Sequence, residues 1–309
     1  MTTNYRDRVH PDLLELYDMC PGFDLNDLAG CIRQMMDDEY EMTGLPACEE
    51  VEVTEHYIEE DVYIRVYKPA NKSELLPALL WMHGGGYLGG FIKKDEGVCI
   101  RFVKEARCVV VSVEYRLAPE YKYPVPLEDC YSALKWLHDN AEELGADRDR
   151  IAIAGNSAGG GLTAALSLLA RDRGGPKVMF QMPLYPMIDD RCSTSSCIDI
   201  QDSKSWFGEC NKLAWSLYLG DLEDVPPYAA PARAEDYSGL PPTYTMIGDL
   251  DPFRDETIEY VARLSRAGIP VEFHLYPGCF HGFDVSVLRT EIGDRAYNGF
   301  VDALARAFR

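Results

Sequence analysis

Three short stretches hold the residue types that nucleophilic catalysis needs. Gly155-Asn156-Ser157-Ala158-Gly159 is a G-x-S-x-G, with the β-rich run Arg150–Ala154 directly before it and the small-residue run Gly160–Ala170 after it. A strand, a tight turn and a helix in that order would expose the Ser157 hydroxyl on a strained turn, with the Ala158 N–H at the helix N-terminus facing a developing oxyanion. His83-Gly84-Gly85-Gly86 follows a second apolar run, Ala78–Met82. Glycines after a strand leave their N–H groups open to a ligand, as the second half of an oxyanion hole requires. The rival for such glycines is a phosphate cradle, but the Lys-Ser/Thr of a P-loop and the G-x-G-x-x-G spacing are both missing.

A serine hydroxyl is a poor nucleophile unless a base takes its proton. His10 and His56 precede the core of the sheet, His83 belongs to the glycine loop and would fix it by hydrogen bonds, His138 falls in a helical stretch, and His274 lies inside a strand-like run. His281 differs, sitting in Pro277-Gly278-Cys279-Phe280-His281-Gly282-Phe283 directly after the last strand-like run. The chain order that accompanies a G-x-S-x-G elbow is serine, acid, then histidine on late loops, which selects His281. The acid should follow the preceding run, Tyr244–Ile247, where Asp249, Asp251 and Asp255 all lie. Asp255 falls in the first turn of the next helix, facing its dipole. Spacing leaves Asp249 and Asp251 both open.

The elements that must position these groups alternate in type. Residues 1–50 read as helical and acidic, with Leu13, Leu14, Leu16 and Tyr17 at helical spacing. Val51–Ile58 and Val62–Tyr67 flank Glu59-Glu60-Asp61 and predict an antiparallel hairpin. From Ala78 onward, strands are expected at Ala78–Met82, Cys108–Val113, Arg150–Ala154, Val178–Leu184, Tyr244–Ile247 and Val271–Tyr276. Helices are expected at Asp95–Ala106, Leu127–Ala141, Gly160–Ala170, Arg254–Ala267 and Ile292–Phe308. This alternation predicts an α/β fold: about eight strands, mostly parallel, with helices on both faces. One stretch breaks the rhythm. Nearly sixty residues separate Pro186 from Tyr244, and they hold Trp206, Phe207, Trp215 and Tyr218. A segment that long in such a fold suggests a lid over the carboxyl edge of the sheet.

Composition narrows the partners. The chain has 309 residues, 47% of them hydrophobic, and a net charge of −21 from 51 acidic against 30 basic side chains. That field repels a phosphate backbone, so no nucleic-acid partner is expected, and it favours a neutral small molecule over an anion. Met1–Met19 has no apolar h-region, and no apolar run approaches the roughly 18 residues needed to span a bilayer, so a cytoplasmic location is expected. The ten cysteines are scattered. The close pairs Cys99/Cys108 and Cys192/Cys197 have no metal-ligand companions nearby, so the thiols read as reduced and structural. No internal repeat stands out.

With these motifs in order, the chain resembles the hormone-sensitive-lipase-like esterases (bacterial family IV) of the α/β-hydrolase fold, from about Tyr57 to the C-terminus. Besides the two glycine motifs, the likeness rests on Glu114-Tyr115-Arg116-Leu117-Ala118-Pro119-Glu120 and Asp149-Arg150-Ile151. It continues in Leu240-Pro241-Pro242, Asp251-Pro252-Phe253-Arg254-Asp255-Glu256 and Tyr276-Pro277-Gly278 through His281-Gly282-Phe283. The resemblance implies a triad of Ser157, Asp251 and His281, with the N–H groups of Gly85, Gly86 and Ala158 as oxyanion donors. It also implies a cap built from residues 1–50 and an insertion at about 187–220, on a catalytic domain spanning 51–309. The implied activity is a serine carboxylesterase acting on small, short-acyl, uncharged esters through an acyl-serine. No metal or organic cofactor is implied, and a homodimer is compatible by analogy. Two residues depart from the family pattern: Asn156 stands where the elbow usually has aspartate, and Phe253 where leucine is usual. Rival readings are a small-molecule receptor on the same fold, which would typically have lost a triad residue, and an acyltransferase or deacetylase using the same triad.

Overall fold

The hairpin at the start of the sheet consists of β1 (Val51–Tyr57) and β2 (Tyr63–Pro69), paired antiparallel from Val51 opposite Pro69 to Tyr57 opposite Tyr63. The structure, a computed structural model, describes residues 4–43, 48–58, 62–71, 74–284 and 289–309. The acidic break Glu59-Glu60-Asp61 lies outside the described residues. Six further strands follow: β3 (Leu76–Met82), β4 (Val109–Glu114), β5 (Ala146–Asn156), β6 (Val178–Leu184), β7 (Thr243–Leu250) and β8 (Val271–Phe280). The sheet order is β1-β2-β4-β3-β5-β6-β7-β8, with β3 to β8 parallel to one another and β2 antiparallel to β4. The eight strands and the parallel core match the expectation from alternation.

The N-terminal segment contributes α1 (Leu14–Met19) and α2 (Leu28–Thr43), preceded by two 3₁₀ turns. Leu13 and Tyr17 are buried, while Leu14 and Leu16 pack partly covered against the core. The crossover helices are α3 (Glu96–Arg101), α4 (Val125–Asp139) with the single turn α5 (Ala141–Leu144), and α6 (Ala158–Arg173). The segment after β6 carries α7 (Ser195–Asp199) and α8 (Gly208–Leu219), and α9 (Arg254–Arg266) and α10 (Glu291–Ala307) complete the chain. Helices α4, α6 and α9 cover one face, where Ala164 and Leu168 meet Tyr260 and Leu264. Phe102, behind α3, meets Phe300 of α10 (ring centroids 5.9 Å apart). β3 is buried at every position, as a strand covered on both faces must be.

Several boundaries differ from the sequence reading. The helix expected over Asp95–Ala106 is α3 followed by a π-helical turn, Phe102–Ala106, closed by Arg107 at φ +55°. β5 begins four residues before the expected Arg150, because Ala146 pairs with Leu76 before the register shifts. α6 starts at Ala158 rather than Gly160, so Ser157 is its N-cap. β8 runs to Phe280, so His281 follows the strand immediately. All ten cysteines are free, and Cys99, Cys108 and Cys130 are among the buried ones. Among the described residues no helix is long and apolar enough to cross a membrane.

Candidate active site

Ser157 stands where β5 turns into α6, at φ +55° and ψ −116°, a conformation that costs an L-residue energy and persists only where the surroundings impose it. The imposition is visible. The Ser157 N–H donates to the Leu184 carbonyl at the end of β6 (2.9 Å), and the Ser157 carbonyl accepts from Met187 (3.0 Å) and Gly161 (2.9 Å). Gly155 and Gly159 lie so close to the carbonyl of Met82 that a Cβ at either would collide with it. The turn is therefore wedged between the ends of β3 and β6, and only glycine fits on either side of the serine.

The other two groups come from the ends of β7 and β8, neighbours in the sheet. His281 Nε2 lies 2.7 Å from Ser157 Oγ, and His281 Nδ1 lies 2.6 Å from Asp251 Oδ2. The second oxygen of Asp251 accepts the Phe253 N–H at 2.9 Å, which fixes the carboxylate's rotation. Asp251 is 1% exposed and the His281 side chain 11% exposed, so the pair is screened little by solvent. The two aspartates that spacing left open have different partners: Asp251 bonds the imidazole, and Asp249 Oδ1 accepts the N–H of Gly278 (2.6 Å). Asp255 accepts the Ser196 N–H (2.8 Å) and so ties α7 to the turn that carries Asp251.

Gly85 and Gly86, at φ +119° and +61°, face the serine from the loop after β3. Among the described residues their N–H groups, like that of Ala158, donate to no protein acceptor. The Glu114–Glu120 motif, which carried no role in the sequence, braces this loop. Glu114 accepts the Ile92 N–H (2.9 Å), and the Tyr115 hydroxyl donates to the His83 carbonyl (2.7 Å) while its ring stacks on the His83 imidazole at 4.2 Å. Ala118 N–H donates to the Tyr87 carbonyl, and Arg116 is held by the buried Asp129 through three hydrogen bonds. His83 Nδ1 lies 2.7 Å from the Gly84 carbonyl, in keeping with its expected structural role.

Ser157, His281 and the glycine loop line a cavity of about 500 Å³, walled on its far side by apolar residues of the N-terminal segment such as Leu16, Phe23, Ile32 and Met36. Trp206, from the stretch between α7 and α8, closes one side: a Cβ on Gly86 would sit 2.7 Å from its ring, and its centroid is 6.3 Å from that of His281. The N-terminal segment and this stretch hold each other. Tyr17 donates to Asp202 (2.8 Å), Lys204 to the Asp18 carbonyl (3.0 Å), and Phe23 meets Trp206 edge-on at 5.5 Å. Arg33 of α2 anchors the layer to the sheet, donating to the Leu88 carbonyl and forming a two-pronged pair with Glu120. Sequence reasoning missed Arg33, and it also missed Tyr185 and Phe253, whose rings meet His281 edge-on at 5.1 and 5.0 Å. Nothing local marks such contacts. Only Phe253, as a departure from the family motif, offered a signal.

The arrangement can pass a proton from a hydroxyl to an imidazole whose other nitrogen is held by a carboxylate, beside unpaired N–H donors. A family model described as alpha/beta hydrolase fold matches residues 79–285. Esterase LipI of Mycobacterium tuberculosis is 34% identical over 91% of this chain and 90% of its own length. Carboxylesterase NlhH of the same species is 37% identical over 80% of this chain and 79% of its own. A solved bacterial heroin esterase superposes with a TM-score of 0.93 at 39% identity, covering 99% of this chain and 100% of that one. The chain thus belongs to the α/β-hydrolase fold family, in its hormone-sensitive-lipase-like branch, and is a carboxylic ester hydrolase.

Proposed function

We propose that the protein is a serine carboxylesterase that hydrolyses small, short-acyl, uncharged esters through an acyl-serine intermediate. The observation that carries this reading is the hydrogen-bonded series from Ser157 through His281 to Asp251. His281 takes the proton of Ser157 as Oγ attacks the ester carbonyl, and Asp251 holds the imidazole in the tautomer that can do so. The developing oxyanion rests on the N–H groups of Gly85, Gly86 and Ala158. The alcohol departs with the proton from His281, which then activates the water that releases the acid.

The cavity supports this substrate class. A volume near 500 Å³ with mostly apolar walls suits a small neutral ester. The net charge of −21 works against an anionic one. The N-terminal segment, residues 1–50, and the insertion at about 187–220 act together as a cap, supported by the bonds that join Tyr17 to Asp202 and Lys204 to Asp18. The test is hydrolysis of p-nitrophenyl esters from acetate to palmitate, with Ser157→Ala alongside. Turnover of short esters that disappears in the variant is the expected result. Equal activity in both proteins would sink the reading.

A further inference from the structure

The ring of His281 is bordered by Phe253, Tyr185 and Trp206. Of these, only Tyr185 carries a hydroxyl. That hydroxyl lies 3.4 Å from Asp284 Oδ2, and the Asn156 amide also reaches it. Tyr185 holds this place at φ +32°, a backbone conformation that L side chains rarely adopt and that must be imposed by its surroundings. Its N–H donates to the Met246 carbonyl, so the strained residue is pinned to β7.

Asp284 itself is 8% exposed, and its Oδ1 is buried without a hydrogen-bond partner among the described residues. A buried carboxylate with one oxygen unpaired is costly and calls for a functional account. The proposed mechanism does not use it. Within electrostatic reach of Asp284 are His281, Lys94 from the loop before α3, Tyr185 after β6, Tyr244 of β7, Tyr276 and Cys279 of β8, and Tyr297 of α10. The phenols and the thiol, pushed up by burial, stay neutral at working pH. The charged partners are therefore Lys94 and the imidazolium that forms during turnover.

We propose that Tyr185 and Asp284 are positioning residues for His281: Asp284 holds the Tyr185 hydroxyl, the Tyr185 ring braces the imidazole edge, and the Asp284 charge supports the imidazolium. Asn156 fits this arrangement because its amide can donate to the phenol oxygen while the phenol donates to Asp284. An aspartate at 156 would place a carboxylate on each side of one hydroxyl. With asparagine at 156, the charge held against this hydroxyl is supplied from the histidine loop, and Asp95, which lines the same cavity, also acts on Tyr185. Burial raises the Asp284 carboxyl to about 6, so it is ionised at neutral pH and loses its charge on the acid side.

This inference rests on His281 as the general base. Its test is the pH profile of kcat/KM with p-nitrophenyl acetate for the intact protein, Ser157→Ala, Asp284→Asn, Tyr185→Phe and the charge-relocating double variant Asn156→Asp/Asp284→Asn. Removing the Asp284 anion takes away charge support for the imidazolium. The acid limb of Asp284→Asn should therefore move to lower pH by about half a unit, with a several-fold lower plateau kcat and little change in KM. The double variant should bring the limb back. An Asp284→Asn limb that coincides with that of the intact protein overturns the proposal, whatever the melting temperature. If Asp284→Asn fails to fold, an unchanged kcat in Tyr185→Phe overturns it equally. Retained activity in Ser157→Ala is a different failure, that of the esterase mechanism itself.

Discussion

The carboxylate of Asp249 accepts the backbone N–H of Gly278 at 2.6 Å, tying the end of β7 to the strand that delivers His281. Two aspartates two residues apart therefore act on one segment by different means, Asp251 on the ring of His281 and Asp249 on the Gly278 N–H of the strand that leads to it. Asp251→Asn should lower kcat by about four orders of magnitude, because the amide can hold the imidazole in the wrong tautomer. Asp249→Ala removes one acceptor between the ends of β7 and β8 and should cost about tenfold or less, with a lower melting temperature. Equal losses in the two variants, measured as kcat and thermal unfolding, would reverse the assignment.

Gly86 sets the distance between the glycine loop and Trp206. A Cβ there meets the Trp206 ring at 2.7 Å on a backbone at φ +61°. Gly86→Ala should lose activity for two reasons, the displaced ring and the strained N–H donor, so Trp206→Ala added to it should restore little. Trp206→Ala alone should enlarge the cavity and extend activity toward longer acyl chains. A p-nitrophenyl ester series on the three variants separates these effects.

Asp129, 2% exposed at its side chain, accepts from the backbone and guanidinium of Arg116 and so holds the bracket behind the glycine loop. Asp129→Ala removes a buried carboxylate and the three hydrogen bonds it accepts from a partly exposed arginine, and should destabilise the fold by about 2 kcal/mol. Denaturant unfolding gives the number. Catalytic activity at low temperature should survive better than stability does, since neither residue touches the cavity.

Asp284 also makes a statement about stability. Its carboxyl is raised by burial from the ordinary 3.8 to about 6. For a group shifted upward, the stabilising contribution is complete below the unfolded value and is lost as pH rises through the folded one. The melting temperature of the intact protein relative to Asp284→Asn should therefore be highest below about pH 4 and fall to a plateau above about pH 6. The span corresponds to about 3 kcal/mol at most. A difference that is flat with pH would show that Asp284 does not titrate in this window.

The sequence by itself determined the parts of this protein that depend on local rules. Strand–turn–helix around Ser157, glycines after β3 and a histidine directly after the last strand are short-range patterns, and each was legible because the chemistry constrains neighbouring residues. Buried runs of β-branched and aliphatic residues gave the parallel strands, since strands covered on both faces cannot alternate. Helix and strand ends were less legible: the start of β5 depends on pairing with Leu76, and the π-helical turn at Phe102 on packing against α10. The separate duties of Asp249 and Asp251 were decided only by tertiary structure, because both sit at the carboxyl end of β7 and only the approach of β8 shows which faces the imidazole. The same holds for Arg33, Trp206, Tyr185 and Asp284. Their partners lie dozens of residues away in the chain or depend on how a loop folds back, and nothing in the residues beside them records where those partners come to rest.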